Sequence, residues 1–352
     1  MNKPKIAING FGRIGRSAVR IWWEKFQDQF DLIAINTSGS MPLTDWVHLL
    51  KYDTNYKRFD PGLSFEEKQS NKEVTDENPV LGTVTIGEKT LTFTAQRDPA
   101  KLPWAEMGID LVLDSTGVFR TREKASLHLD AGAKKVLISA PAKGDEPVST
   151  SVIGVNEFGQ DTSVTSNASC TTNCVAPVAK IMHETFGVEK ATLTTIHAYT
   201  DSQNILDNSH KKDMRRARAA AANLIPTSTG AAKATTKIIP ELKGIFDGMA
   251  VRVPIPVGSL SDIVFVTSRD TSVEEVNQTF RDAATSDRWQ GVLLATDEPI
   301  VSSDIVGRSE SSIVDLSLTQ VIGGNLVKVV SWYDNEWGYC NRLLDQIVLL
   351  TK

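Results

Sequence analysis

The hexapeptide Gly10-Phe11-Gly12-Arg13-Ile14-Gly15 decides how the first half of this chain folds. It follows Lys5–Asn9, a short apolar run that reads as a strand, and it opens residues 13–26, which have helical character. In such a junction the first glycine permits a tight turn and the second lets a diphosphate approach the backbone. The third lets the helix pack close to the strand. The diphosphate of a dinucleotide then sits on the positive end of the helix. Glycine patterns of this kind also occur in ordinary turns; the position between strand and helix makes this one a cofactor turn. The usual next feature is an acid closing the second strand, where it accepts the ribose hydroxyls. Here that strand, 32–36, leaves through Asn36, Thr37 and Ser38 with no carboxylate. An acid would repel a 2′-phosphate, whereas Thr37 and Ser38 can donate hydrogen bonds to one. NAD and NADP therefore both remain open.

Outward from this turn, apolar runs at 110–114 and 135–139 flank a helical segment at 122–131. Each run is followed by Gly, Ser, Thr or Pro, as at the ligand-binding ends of a parallel sheet. Residues 59–91 are polar and carry turn signals at Asp60-Pro61-Gly62 and Asp76-Glu77-Asn78-Pro79. They read as a surface excursion with a hairpin at 83–93. From about Val164 the pattern changes to strand-like alternation at 191–199, 249–253, 262–267 and 312–321. Gly323-Gly324-Asn325 turns the last of these into 326–333, and a helical segment at 336–350 closes the chain. The expected fold is α/β, with a Rossmann-type parallel sheet domain at 1–169 and an α+β catalytic domain with a mostly antiparallel sheet at 170–334. Residues 335–352 are expected to pack back on the first domain.

Composition narrows the function classes. The 352 residues are 41% hydrophobic and 23% charged with a net charge of −5, the balance of a soluble globular protein rather than a general polyanion binder. No apolar run approaches the ~18 residues that span a bilayer. The start Met1-Asn2-Lys3-Pro4-Lys5 passes into a strand without a leader's apolar stretch, so export is not expected. Three cysteines make no disulfide framework, and no histidine pair or second cysteine pair accompanies Cys170 and Cys174 to bind a metal. A cytoplasmic protein with reduced thiols is expected.

Ser169-Cys170-Thr171-Thr172-Asn173-Cys174 follows a strand and starts a segment that is helical as far as Thr185. A thiol at a helix N-terminus feels the dipole and the N–H groups there, which favour thiolate, the form that attacks an aldehyde. It needs a histidine partner. His197 is the candidate because it ends a returning strand among polar residues. His48, His128 and His183 fall in helical segments and His210 in a charged loop; surface or capping roles are expected for all four. Cys174, one helical turn deeper, and Cys340 read as small buried hydrophobes.

The stretch Asn167–Cys174 resembles the active-site signature of phosphorylating glyceraldehyde-3-phosphate dehydrogenases. The resemblance covers nearly the whole chain through Asn9–Arg16, Asp114–Phe119, Ile196–Thr200, Arg215–Ala220, Ile225–Ala232, Arg252–Pro254 and Trp332–Tyr339. It implies Cys170 as nucleophile and His197 as base, with D-glyceraldehyde 3-phosphate and inorganic phosphate as partners. Ser169, Thr171, His197, Thr229, Gly230 and Arg252 would form the inorganic phosphate pocket. Thr200 and Arg252 would hold the substrate's C3 phosphate with Arg216 nearby, since guanidinium forks suit phosphate. The cofactor would meet Gly10, Phe11, Gly12, Arg13, Ile14, Gly15, Asn36, Thr37, Ser38, Arg97, Ser115, Thr116, Gly117 and Ser139. Asn335 would fix the nicotinamide amide and Tyr339 would pack near its ring. Erythrose-4-phosphate dehydrogenase is the neighbouring reading; the run Thr227–Ala232 favours the glyceraldehyde enzyme.

Two departures from the family pattern bear on the cofactor. Thr37 stands where most members have aspartate, and Ser209 resembles a serine that NADP-using photosynthetic relatives place near the 2′-phosphate, in a loop from a neighbouring subunit. Both tilt the expectation toward NADP. The resemblance implies a homotetramer in which the loop 199–223 reaches an adjacent subunit. The cluster Lys211, Lys212, Arg215, Arg216 and Arg218 is short and lacks interleaved aromatics, so nucleic acid is not expected. The segment 60–79 is longer than usual for the family and receives no function.

Overall fold

A computed structural model describes residues 3–352; Met1 and Asn2, which open the N-terminal reading, lie outside the described residues. The chain divides into two compact units. The first runs to Ser151 and adds Phe158–Ala168 and Cys340–Lys352; the second comprises Val152–Glu157 and Ser169–Tyr339.

The first unit begins with β1 (Lys5–Asn9), α1 (Arg13–Ile21), β2 (Asp31–Thr37) and α2 (Leu43–Lys51). A small hairpin, β3 (Tyr52–Asp53) and β4 (Lys57–Arg58), leads to β5 (Leu63–Glu67), β6 (Val80–Ile86) and β7 (Lys89–Ala95). The unit continues through α3 (Trp104–Met107), β8 (Leu111–Asp114), α4 (Arg122–Asp130), β9 (Lys135–Ile138), β10 (Ser149–Thr150) and β11 (Val164–Ser166). The nine strands outside the hairpin form one sheet in the order β10-β11-β9-β8-β1-β2-β7-β6-β5. It is parallel from β10 to β7 and antiparallel only at the β6 and β5 edge. The central strands are buried along their length, as parallel strands covered on both faces must be. The order reverses at β1, and the carboxyl ends of the flanking strands form the crevice where such sheets take ligands.

Two expectations need correcting in this unit. The surface excursion is shorter than its polarity suggests: only 60–79 is peripheral, because Leu81, Val84, Ile86, Leu91 and Phe93 of the β6–β7 hairpin are core. Alternating threonines on the outer face raise the average polarity without exposing the strands. His128 is also no surface residue. It is fully buried, accepts a hydrogen bond from Trp104 Nε1 at Nδ1 (3.0 Å) and places Nε2 3.2 Å from Asp114. His48 is exposed, and His183 caps the end of its helix by accepting from the Val188 N–H.

The second unit begins with α5 (Cys170–Phe186), β12 (Val188–Ala198), β13 (Ile225–Ser228), α6 (Ala231–Ile238), β14 (Phe246–Val253), β15 (Ser259–Thr267) and α7 (Val273–Thr285). It ends with β16 (Leu293–Thr296), β17 (Ser312–Asp315), β18 (Gln320–Ile322) and β19 (Leu326–Tyr333). Its sheet runs β13-β14-β12-β15-β19-β17-β16, with β18 paired to β19. It is antiparallel except for β12–β14 and β16–β17. Burial alternates strictly along β15, so one face is covered and the other is not. On β12 the covered face carries Leu193, Thr195 and His197, and on β19 Val329, Ser331 and Tyr333. Helix α5 packs across β12, β15, β17 and β19. The last helix, α8 (Trp337–Leu350), groups with the first unit from Cys340 onward, where Gln346 donates to the Ser151 carbonyl and Lys135 to that of Leu350.

Candidate active site

After β11 the chain passes through Ala168 at φ 54°, a left-handed value that L-residues seldom adopt. Ser169 then caps α5, its hydroxyl accepting from the Thr172 N–H at 3.1 Å. Cys170 is the first residue of that helix. Strand periodicity brings His197 to the same place from the sheet. The Cys170 Sγ lies 3.5 Å from His197 Nε2, and the parallel register of β12 and β14 sets Arg252 beside His197.

The other imidazole nitrogen has two neighbours. His197 Nδ1 is 2.6 Å from the Ala198 carbonyl and 2.7 Å from Arg252 Nη1, which also donates to that carbonyl at 2.9 Å. These contacts require opposite tautomers. A guanidinium only donates, so facing it Nδ1 must be an acceptor and Nε2 carries the hydrogen. Facing the carbonyl alone, Nδ1 carries the hydrogen and the Nε2 lone pair points at sulfur. An anion that drew Arg252 aside would leave His197 in the second form, a base toward Cys170.

Two influences meet at Cys170: the helix N-terminus favours thiolate, and burial opposes it. The residue is partly exposed, yet protein packs round its thiol. Burial, the largest influence, pushes its pKa up; Arg252, the Thr171 hydroxyl and N–H, and its own N–H pull it down without prevailing. Burial also lowers His197, seconded by Arg252, to about 3. Both shifts point toward the neutral forms, an uncharged thiol and an uncharged imidazole. Cys174, fully buried against Ser331, is pushed up to about 12.

Tyr333 has a role that its motif does not reveal. Its hydroxyl joins those of Thr171 and Thr195, each at 2.9 Å, and its ring meets His197 edge-on. It ties the helix to the strand that carries the base. Burial raises its pKa well above the phenol range, so it stays neutral. No periodicity separates this tyrosine from a core aromatic.

Some of the residues expected to bind phosphate are linked to one another. Thr200 and Arg216 are joined through Ser202, at 2.8 and 3.4 Å, a residue missed by the sequence reading. Arg216 is held by Thr227 (2.9 Å), which donates to Asp213. Arg216 lies near enough to lower the pKa of both His197 and Arg252, and two neighbouring guanidiniums suit an anion. Gly230 opens α6 with free space where a Cβ would stand, next to Thr229. Thr171 is turned inward to Tyr333.

In the first unit, the dinucleotide residues collect at the carboxyl edge of the sheet. Gly10 turns at φ 100°, where a Cβ would stand 2.9 Å from Thr116, and Gly12 opens α1 with no atom near its missing side chain. Ser115 donates to the Gly10 carbonyl and the Ser139 N–H to that of Asp114. The space and donors fit a diphosphate. Four of these residues have their side chains engaged within the protein. The Phe11 ring is core, edge-on to Phe93. Arg13 turns its guanidinium to Asp53. Asn36 uses its amide on Asn9, Thr94 and Gln96. Thr37 is buried and donates its one hydroxyl hydrogen to the Thr94 carbonyl, so it has none for a 2′-phosphate. Exposed Ser38 and Arg97 remain for that role, linked by a 3.4 Å bond from Arg97 Nε to the Ser38 carbonyl. In the second unit, Asn335 is buried with Oδ1 accepting from Gly258 N–H and Ser259, Tyr339 is buried at the start of α8, and Ser209 is exposed on the 199–223 loop.

Comparison with known proteins agrees with this geometry. Two family models match: the NAD binding domain of glyceraldehyde 3-phosphate dehydrogenase over residues 4–122, and its C-terminal domain over 169–335. Glyceraldehyde-3-phosphate dehydrogenase of Streptomyces coelicolor is 48% identical over 98% of both chains. Glyceraldehyde-3-phosphate dehydrogenase 2 of Synechocystis is 47% identical over 99% of this chain and 98% of the relative. The chloroplastic A form of Zea mays is 49% identical over 97% of this chain and 81% of its own. Matched by both domain models and by full-length relatives near half identity, the chain belongs to the glyceraldehyde-3-phosphate dehydrogenase family.

Proposed function

We propose that this protein oxidises D-glyceraldehyde 3-phosphate and phosphorylates it to 1,3-bisphosphoglycerate, with NAD or NADP as acceptor. The 3.5 Å approach of Cys170 Sγ to His197 Nε2 carries the reading. The substrate's phosphate binds Arg252, Thr200 and Arg216 and draws the Arg252 guanidinium off Nδ1. Nδ1–H then faces the Ala198 carbonyl, and Nε2 takes the Cys170 proton as sulfur attacks the aldehyde carbon. That proton passes to the aldehyde oxygen, giving the hemithioacetal. The Cys170 N–H stabilises charge on this oxygen. Nε2 removes the hydroxyl proton as the carbon is oxidised to the thioester. Inorganic phosphate, held by Ser169, Thr229 and Gly230, attacks the thioester carbon. The C–S bond breaks, and Cys170 recovers its proton from His197.

The bound dinucleotide supplies the C4 of its nicotinamide ring as hydride acceptor. The backbone at Phe11–Ile14, with Ser115, Thr116, Gly117 and Ser139, would hold its diphosphate and ribose, and Ser38 and Arg97 would serve the adenosine 2′ position. Asn335, anchored through Oδ1, would offer its N–H₂ to the carboxamide, and Tyr339 would pack near the ring. A homotetramer accounts for the exposed apolar side chains of the 199–224 stretch, where Ile205 is 83% and Leu206 74% exposed beside Met214 and Leu224. Ser209 on this loop serves a neighbouring copy's cofactor. The thiols of Cys170 and Cys174 suit the cytoplasm, and among the described residues no helix is long and apolar enough to cross a membrane. Turnover measured with each cofactor, with and without phosphate, tests the reading. Steady turnover to the free acid without phosphate, or none with phosphate present, would reject it.

A further inference from the structure

The segment 68–79 is tied to the dinucleotide edge of the sheet. It leaves β5 with the Lys68 and Gln69 N–H groups both directed at the Leu81 carbonyl, and the Gln69 amide bonds the carbonyls of Asn78 and Val80. Thus braced, it sends two side chains across the strand ends. Asn71 Nδ2 donates to the Gly39 carbonyl at 2.9 Å, and Asp76 Oδ1 accepts from Gln96 Nε2 at 2.9 Å while its other oxygen pairs with Lys101. Gly39 follows Ser38 and turns at φ 69°; Gln96 precedes Arg97. The excursion therefore grips the two short segments that carry the exposed donors of this edge, one after β2 and one after β7. Those segments are also bonded to each other, through Arg97 Nε to the Ser38 carbonyl and through the Asn36 amide to both main-chain groups of Gln96.

We propose that residues 68–79 form the adenosine-side wall of the dinucleotide site, with Asn71 and Asp76 as positioning residues that hold Ser38 and Arg97 for a ribose 2′-phosphate. The inference rests on the reading that these two residues face the 2′ position. A rigid donor pair loses less freedom on binding than a mobile one. The proposal also makes a prediction opposite in sign to charge alone. A carboxylate near the site should repel a 2′-phosphate, so its removal should tighten binding. If Asp76 acts by holding Gln96, and Lys101 already balances its charge, removal weakens binding.

The test uses the full chain and two fragments lacking nicotinamide, 2′,5′-ADP and 5′-AMP, titrated calorimetrically. The wild type should prefer 2′,5′-ADP. Asn71→Ala and Asp76→Ala should each weaken 2′,5′-ADP by roughly five- to tenfold and 5′-AMP by less than about twofold. Asp76→Asn, which keeps an acceptor for Gln96, should bind like wild type. Thermal unfolding should shift by no more than about 2 °C, since both residues lie at the surface. Equal weakening of both fragments, or tighter 2′,5′-ADP binding by Asp76→Ala, overturns the proposal. A wild type that binds the two fragments alike removes the 2′-phosphate reading itself, and the inference with it; retained preference in the variants removes the inference alone.

Discussion

Two strand–turn–helix junctions, one inside the first unit and one where the chain passes from the first unit into the second, solve different problems with similar backbones. Both pass through a left-handed residue, Gly10 at φ 100° before α1 and Ala168 at φ 54° before α5. Before α1 the residue must be glycine, because a Cβ would strike Thr116, whereas before α5 an alanine fits. The caps diverge further. Gly12 offers α1 no side chain and leaves open space, while Ser169 closes the first turn of α5 with its own hydroxyl. A junction meant to receive an external anion leaves room and supplies no internal cap. A junction that carries a nucleophile caps itself and aims its N–H groups at its own sulfur.

The largest test of this contrast removes the sulfur. Cys170→Ser should reduce steady-state turnover by roughly a thousandfold or more, while fluorescence titration finds cofactor affinity within about twofold of wild type. Loss of both would place the sulfur in the cofactor site as well. Next come the glycines. A Cβ at Gly15 would stand 2.1 Å from the Gly10 carbonyl oxygen, whereas one at Gly12 meets nothing within 4 Å. Gly15→Ala should lower both melting temperature and cofactor affinity. Gly12→Ala should keep the melting temperature and lose affinity alone, by about tenfold or more, as a methyl group occupies the diphosphate's approach.

Acid probes the second junction. The His197 pKa of about 3 lies below the ordinary 6.5, so between these values the unfolded chain binds more protons and stability rises with pH. On acidification from about 6.5 toward 3, this share of stability should be lost. Urea midpoints at pH 7 and pH 5 should converge in His197→Gln relative to wild type; an unchanged gap would show that other groups carry the acid sensitivity. The smallest effect belongs to the cap. Ser169→Ala should destabilise by about 1 kcal/mol, read from urea unfolding, and a neutral result would mean that water replaces the hydroxyl.

Much of this was legible before any coordinates. Gly10, Gly12 and Gly15 announce their roles because backbone geometry excludes other residues there. Cys170 and His197 stand at the ends of a helix and a strand whose periods are visible. The errors share a cause. Thr37 looked like a donor, but its hydroxyl proton goes to Thr94, fifty-seven positions away. His128 looked like a helix-surface residue, but α4 turns it to Trp104 and Asp114. Hydrogen-bond partners distant in sequence leave no local trace.

The chain's own pattern determined the two sheet types, the glycine turn, and the pairing of one thiol with one imidazole, since each follows from sterics or from periods of 2 and 3.6. Tertiary structure alone decided the protonation of that pair, the place of Tyr333 between Thr171 and Thr195, and the grip of 68–79 on the strand ends. Those depend on burial and on partners brought together across the sheet, and an electrostatic balance is set by what surrounds a group rather than by its neighbours along the chain.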